Sequence, residues 1–164
     1  MEVIIDACTI ILLGKATVLE KFAETNEIYI TKSVYNEVMK GKAMMFLDAL
    51  ILEKLCLAKK ILIKDIDNKM TDKIMKDFNM GEGEASIIAY GITNIDFIVA
   101  TDNRQGRKAA IINNLSLVGS VEIVVSLFKK GKIDKDKAIE SIKTLNEFGW
   151  FNSYLIEKAL EEIK

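Results

Sequence analysis

The sequence predicts an α/β fold, with one parallel sheet carrying helices on both faces. Three observations support this. Short β-branched and apolar runs alternate with longer helical stretches, the pattern left by βαβ units. The chain has 164 residues, which suits a single α/β domain. Half the residues are hydrophobic and 29% are charged, so the chain can bury a sizeable core and stay in solution.

The elements follow in order. Val3 to Ile5 is an apolar strand that ends at Asp6. Thr9 to Lys15 is helical and runs into a second short helix around Val18 to Ala23. Glu27 to Ile30, β-branched and aromatic, is strand two, and Thr31 or Ser33 can cap the helix that carries Glu37. A long apolar helix is expected over Met44 to Leu57, with Met44 and Met45 in the core, and Ile61 to Ile63 is strand three. Asp65 to Phe78 reads as a polar, weakly amphipathic helix that Gly81 to Gly83 breaks, and Glu84 to Gly91 begins another. Asp96 to Ala100 is strand four, Arg104 to Ile112 a helix, and Ser116 to Val118 strand five.

From Val121 onward the chain reads as two or three helices separated by Gly131 and Gly149. Ile139, Ile142 and Leu145 form an ordinary apolar stripe there, suited to packing on the sheet or to a dimer surface. Gly149-Trp150-Phe151 is expected to be a turn whose aromatics pin the last helix. With no repeat, linker or low-complexity tract, residues 1–164 are expected to form one domain. Residues 1–120 would be its core and 121–164 a helical C-terminal extension.

Composition excludes several chemistries. The net charge is −1, so a nucleic-acid partner would need a local basic patch. Cys8 and Cys56 stand in no metal or redox spacing. Without a secretory n-region and h-region, they are expected to be reduced thiols in a cytoplasmic protein, Cys8 as a small buried residue. The apolar stretch Ala43 to Ala58 is too short to span a bilayer and better fits a buried helix or a subunit interface. Histidine is absent, which removes Ser-His-Asp and Cys-His nucleophilic schemes, imidazole-ligated zinc and any histidine general base. A hydrolase of this composition must work through carboxylates, with a metal as the expected means.

Asp6 and Asp102 both stand just past the ends of apolar strands. In an open parallel sheet, ligands bind outside the carboxyl ends of the strands, where the strand order reverses. Glu37, on the helix after strand two, and Glu84, in the first turn of its helix, can reach the same edge. Four carboxylates converging without cationic partners repel one another, so the set makes sense around a cation. Oxygen ligands without histidine select Mg²⁺ or Mn²⁺ over zinc. Such a site can activate water and hold a phosphodiester in line for hydrolysis. Singly, each acid also has a plainer role: Glu84 can complement a helix dipole and Asp102 can cap a helix. Arg104 and Arg107, the only arginines, lie three residues apart on one helix and suit RNA phosphates, an ion pair with the acids, or plain solvation.

Gly81-Glu82-Gly83-Glu84-Ala85-Ser86 is rejected as a dinucleotide loop, because it follows a polar helical segment and its glutamates would repel a pyrophosphate. Asp6-Ala7-Cys8-Thr9 lacks the second aspartate of an aspartyl-phosphate phosphatase, and strand one lacks the acidic pair of a response-regulator receiver.

Taken together, the segments Val3-Ile-Ile-Asp6-Ala-Cys-Thr-Ile-Ile, Val34-Tyr-Asn-Glu37-Val, Gly83-Glu84-Ala85-Ser-Ile-Ile-Ala89 and Ala100-Thr101-Asp102-Asn103-Arg104 resemble, in order and spacing, the four acidic motifs of PIN domains. Gly106-Arg107-Lys108, Val118-Gly119-Ser120 and Gly149-Trp150-Phe151 extend the likeness to prokaryotic PIN proteins related to VapC-type toxins. The resemblance implies a Rossmann-like three-layer fold with strand order 3-2-1-4-5, a Mg²⁺- or Mn²⁺-dependent ribonuclease site, and frequent dimers. By the same resemblance Asp6 and Asp102 are the principal metal ligands, with Glu37 and Glu84 completing the acidic pocket directly or through water. Thr9 and Thr101 then support the ligands through their hydroxyls. Asn103 stands where many relatives have Asp, and Cys8 where Ser or Thr is usual, so a second metal would be held more weakly.

The expected activity is endoribonucleolytic hydrolysis leaving a 5′-phosphate and a 3′-hydroxyl. Its setting would be a toxin paired with a small antitoxin protein, or RNA processing. The rival reading is a non-catalytic PIN module that binds RNA or a protein partner. A structure-specific DNA nuclease is disfavoured, since larger acidic sets and DNA-clamping elements are missing.

Overall fold

In β1 (Glu2–Ile5), Val3, Ile4 and Ile5 are all fully buried, as expected of a strand covered on both faces. The computed structural model describes residues 1–164 and places β1 at the centre of a five-stranded, all-parallel sheet. β2 (Glu27–Thr31) pairs with one edge of β1, Val3 opposite Ile28, and β3 (Ile61–Lys64) lies outside it. β4 (Ile98–Ala100) pairs with the other edge, Ile5 opposite Ala100, and β5 (Ser116–Val118) closes that side. The order is therefore 3-2-1-4-5, and it reverses direction between β1 and β4.

The first crossover contains α1 (Ala7–Lys15) and α2 (Leu19–Thr25), and the second contains α3 (Lys32–Met39) and α4 (Leu47–Leu57). Next come α5 (Asn68–Phe78) and α6 (Glu82–Thr93) before β4, and α7 (Arg104–Ile112) before β5. The tail forms α8 (Ser120–Lys129), α9 (Lys135–Phe148) and α10 (Ser153–Glu162). α9 packs on α1 and α8 through Ala138, Ile142 and Leu145, all fully buried, and its side chains join the same 42-residue core cluster as the sheet. No helix is long and apolar enough to cross a membrane.

Four local expectations are corrected. The helix expected from Met44 begins at Leu47, because Lys40–Met44 forms a 3-10 segment and Met45 adopts a left-handed conformation at φ 55°. That turn exposes Met44 and Met45 instead of burying them, along with Phe46 and Leu47. Gly81 caps α6 and Gly83 lies inside it, so the helix starts earlier than the glycine pair suggested. α5 starts at Asn68, where the Asp67 carboxylate accepts the Lys69 N–H at 2.9 Å, a local cap that outweighs the residues before it.

Candidate active site

The reversal between β1 and β4 leaves a crevice at their carboxyl ends, and Asp6 and Asp102 enter it from those two strands. Asp6 caps α1: one carboxylate oxygen accepts the Thr9 N–H at 2.7 Å. The other accepts the Thr101 hydroxyl, and the Asp6 N–H donates to the Ala100 carbonyl at 3.1 Å. Asp6 is thus fixed from both strands while only 1% exposed. Burial pushes its carboxyl up to about 7 despite the Thr101 and Thr9 donors, with the charge of Asp102 adding to the rise.

Asp102 is gripped across the fold. It accepts the Thr9 hydroxyl at 2.9 Å, and both its oxygens accept the Ser120 N–H, at 3.0 and 3.1 Å. The carboxylate therefore sits at the N-terminus of α8, where helix N–H groups favour an anion, and it does not cap the helix that follows it in sequence. Asn103 caps that helix instead, its oxygen accepting from Gln105 and Gly106 at 2.8 and 3.0 Å. Burial still raises the Asp102 pKa above the usual carboxylate range, the Ser120 and Thr9 donors opposing it.

Glu37 and Glu84 come from two helices that the structure ties together. Thr31 caps α3 through the Val34 N–H and shares a 2.7 Å hydrogen bond with Ser86 of α6, and the Ser33 hydroxyl donates to Glu82 at 2.8 Å. Glu37 lies against Gly83, whose missing Cβ would stand 2.5 Å from Glu37 Oε2. Glu84 accepts the Gly81 N–H at 3.3 Å. Burial raises its pKa, the Gly81 donor opposes the rise, and the charge of Glu37 adds to it.

The charges of all four acids reach Cys8. Enclosure, and then the negative charges of Asp6, Asp102, Glu84 and Glu37 together, push its thiol up to about 12. Contrary to the expectation of a buried residue, Cys8 is exposed, standing in the first turn of α1 between the buried Ala7 and Thr9. None of the four acids takes part in an ion pair; every salt bridge in the molecule uses other carboxylates.

A family model for the PIN domain matches residues 2–164. The chain belongs to the PIN-domain family. No curated protein and no solved structure matches it. PIN domains have a nuclease-type fold, and in this one Asp6 and Asp102 stand just past the ends of the neighbouring strands β1 and β4, where the strand order reverses.

The donor set of this PIN domain suits a hard divalent cation: carboxylates that make no ion pair, Asp6 buried among them, no imidazole, and no thiolate near neutral pH. No three of the groups stand close enough to make a closed cage. Mg²⁺ usually keeps several of its waters, so a site of one or two direct carboxylates does not require a cage.

The arginines separate. Arg107 turns inward, donating to the Thr101 carbonyl at 3.2 Å and pairing with Glu122 at 3.7 Å, so it braces the end of β4. Arg104 is exposed and makes no ion pair, and Lys108, one turn further along α7, is likewise exposed and unpaired. Lys108, Ser120 and the Thr31–Ser86 link carried no mark as site residues in the sequence. Ser120 acts through its backbone N–H, which any residue supplies, while its buried hydroxyl has no partner.

Proposed function

We propose that this PIN domain is a Mg²⁺- or Mn²⁺-dependent endoribonuclease. The observation that carries the reading is the pair of strand-end carboxylates, Asp6 buried and Asp102 half-buried, held by Thr9, Thr101 and the α8 N-terminus with no ion pair to either. Taking a carboxylate out of water costs several kcal/mol, a cost that an opposite charge bound beside it offsets. Bound there, the cation would supply water activation and charge neutralisation on an RNA phosphodiester.

Asp6 and Asp102 hold that ion. Glu37 and Glu84 complete the negative pocket and orient water at its open side. Thr9 and Thr101 fix the direction in which the two aspartates present their oxygens, and Arg104 takes a backbone phosphate. Asn103, whose oxygen is committed to the α7 cap, offers only its amide N–H groups, as donors to a water or a phosphate oxygen. Hydrolysis would leave a 5′-phosphate and a 3′-hydroxyl. A toxin role with a small antitoxin protein, or RNA processing, and a homodimeric assembly in the cytoplasm belong to the same proposal. The second reading, a non-catalytic module that binds RNA or protein, has one observation in its favour, the lack of a closed three-ligand cage.

Cleavage of end-labelled single-stranded RNA with Mn²⁺, with EDTA and with Asp6→Asn decides between them. Metal-dependent cutting that vanishes in the variant supports the enzyme. No cutting across varied RNAs, together with no thermal shift on adding Mn²⁺, leaves the binding module.

A further inference from the structure

Beside the acidic crevice runs a groove of about 640 Å³ lined by Asp102, Arg104, Arg107, Lys108, Ile111, Ile112 and Trp150. Its composition is uneven in an informative way. Arg107 is committed to Thr101 and Glu122, which leaves Arg104 and Lys108 as unpaired cations on one side of α7. Ile111 and Ile112 continue that helix as an exposed apolar stretch, and Trp150 lines the same groove fully exposed. A fully exposed indole is unusual, since tryptophan is highly buried on average.

Trp150 does not hang on a loose loop. It sits in a short turn between the C-cap of α9 at Gly149 and the N-cap of α10 at Asn152, whose side chain accepts the Tyr154 N–H at 2.9 Å. Phe151 turns inward onto the core, and a Cβ at Gly149 would fall 2.3 Å from its ring. The inward aromatic anchors the turn and the outward one is presented by it. The sequence expectation that both would pin the last helix therefore holds for Phe151 only.

We infer that this groove seats an unpaired segment of the RNA substrate, its phosphates on Arg104 and Lys108 and one base stacked on Trp150, so that the neighbouring phosphodiester reaches Asp102. The inference rests on the ribonuclease reading. Cations, an aromatic face and a candidate metal ligand in one continuous groove match the chemistry of a single strand, in which a backbone is tracked by charge and bases stack on rings. A protein partner would use the indole and the isoleucines but has no need of two unpaired cations against a carboxylate.

Trp150 is the only tryptophan, so its own fluorescence reports the site. The experiment titrates wild-type protein in EDTA with single-stranded oligouridylate, with the same phosphodiester chain lacking bases, and with duplex RNA of equal length. Affinities are measured in parallel for Trp150→Ala, Trp150→Phe and Arg104→Ala/Lys108→Ala. Expected are quenching by the single strand alone, roughly tenfold or greater weakening in Trp150→Ala, near-retention in Trp150→Phe, and weakening with a reduced salt dependence in the double variant. Unquenched emission with unchanged affinity in Trp150→Ala overturns the groove, whether or not the protein cuts RNA, and leaves the indole to a protein partner. Quenching in a protein that never cuts supports the groove while removing the ribonuclease reading.

Discussion

Thr9 and Asp102 clasp each other across 93 residues of sequence: the Thr9 hydroxyl donates to the Asp102 carboxylate at 2.9 Å and accepts the Asp102 backbone N–H at 3.0 Å. One hydroxyl thus satisfies a main-chain donor and orients a carboxylate, while the Thr9 N–H holds Asp6. Thr9→Val keeps the shape and the N–H but leaves the Asp102 N–H and carboxylate under-satisfied. It should cost about 1–3 kcal/mol of stability and weaken Mn²⁺ binding, whereas Thr9→Ser should restore both. Denaturant unfolding and a Mn²⁺ thermal-shift titration on the two variants check this, and equal loss in both would remove the hydroxyl from the account.

Asp6 makes the metal-free fold pH-dependent in a defined direction. Its carboxyl titrates at about 7 in the folded chain against 3.8 unperturbed, so the folded state binds the extra proton between those values. Metal-free stability should therefore fall as pH rises from about 4 to about 7, by on the order of 4 kcal/mol, and then level off. Asp102, also raised, adds in the same direction. Asp6→Asn should flatten much of that slope in EDTA and lift the melting temperature at pH 8 while abolishing cleavage. A variant less stable than wild type at pH 8 would contradict the assignment of a desolvation cost to Asp6.

Cys8 should resist alkylation. With its thiol pushed up to about 12, the thiolate fraction near pH 8 is far below that of an ordinary cysteine, and the negative charges that enclose it are those a divalent cation would neutralise. Peptide-resolved mass spectrometry should find slow iodoacetamide labelling of Cys8 in EDTA and faster labelling in Glu37→Gln/Glu84→Gln. Labelling as fast as free cysteine in the wild-type protein would mean that neither the enclosure nor the acids' charges raise the thiol as described.

Gly83 sets the place of Glu37. Gly83→Ala puts a methyl where Glu37 Oε2 now lies, and the carboxylate can swing away at little cost because its helix is exposed there. Alanine is also a better helix former than glycine in the first turn of α6, though by less than the roughly 1 kcal/mol of a helix interior. The melting temperature should hold or rise while RNA cleavage falls. Cleavage that is unaffected would place Glu37 outside the chemistry.

Much of the fold was legible before any coordinates. Val3-Ile-Ile and Ile98-Val-Ala are continuous apolar runs because both faces of their strands are covered, and such runs end where the chain leaves the sheet, so Asp6 and Asp102 could be placed at strand ends from sequence. Met44, Met45 and Trp150 could not be placed. Apolarity reports a side chain's cost in water, but a left-handed residue at Met45 and a glycine at Gly149 decided which way those side chains face.

By itself the sequence determined the alternation of elements, the absence of histidine chemistry, and the four acids in order, since these depend on residue type and spacing alone. Only the tertiary structure decided how the acids are held. The Ser120 N–H on Asp102, the Thr101 hydroxyl on Asp6 and the Thr31–Ser86 link join residues 18, 95 and 55 positions apart. Such contacts carry no local signature, because a backbone N–H or a hydroxyl offers the same donor wherever it stands and gains its role only when folding brings an acceptor to it.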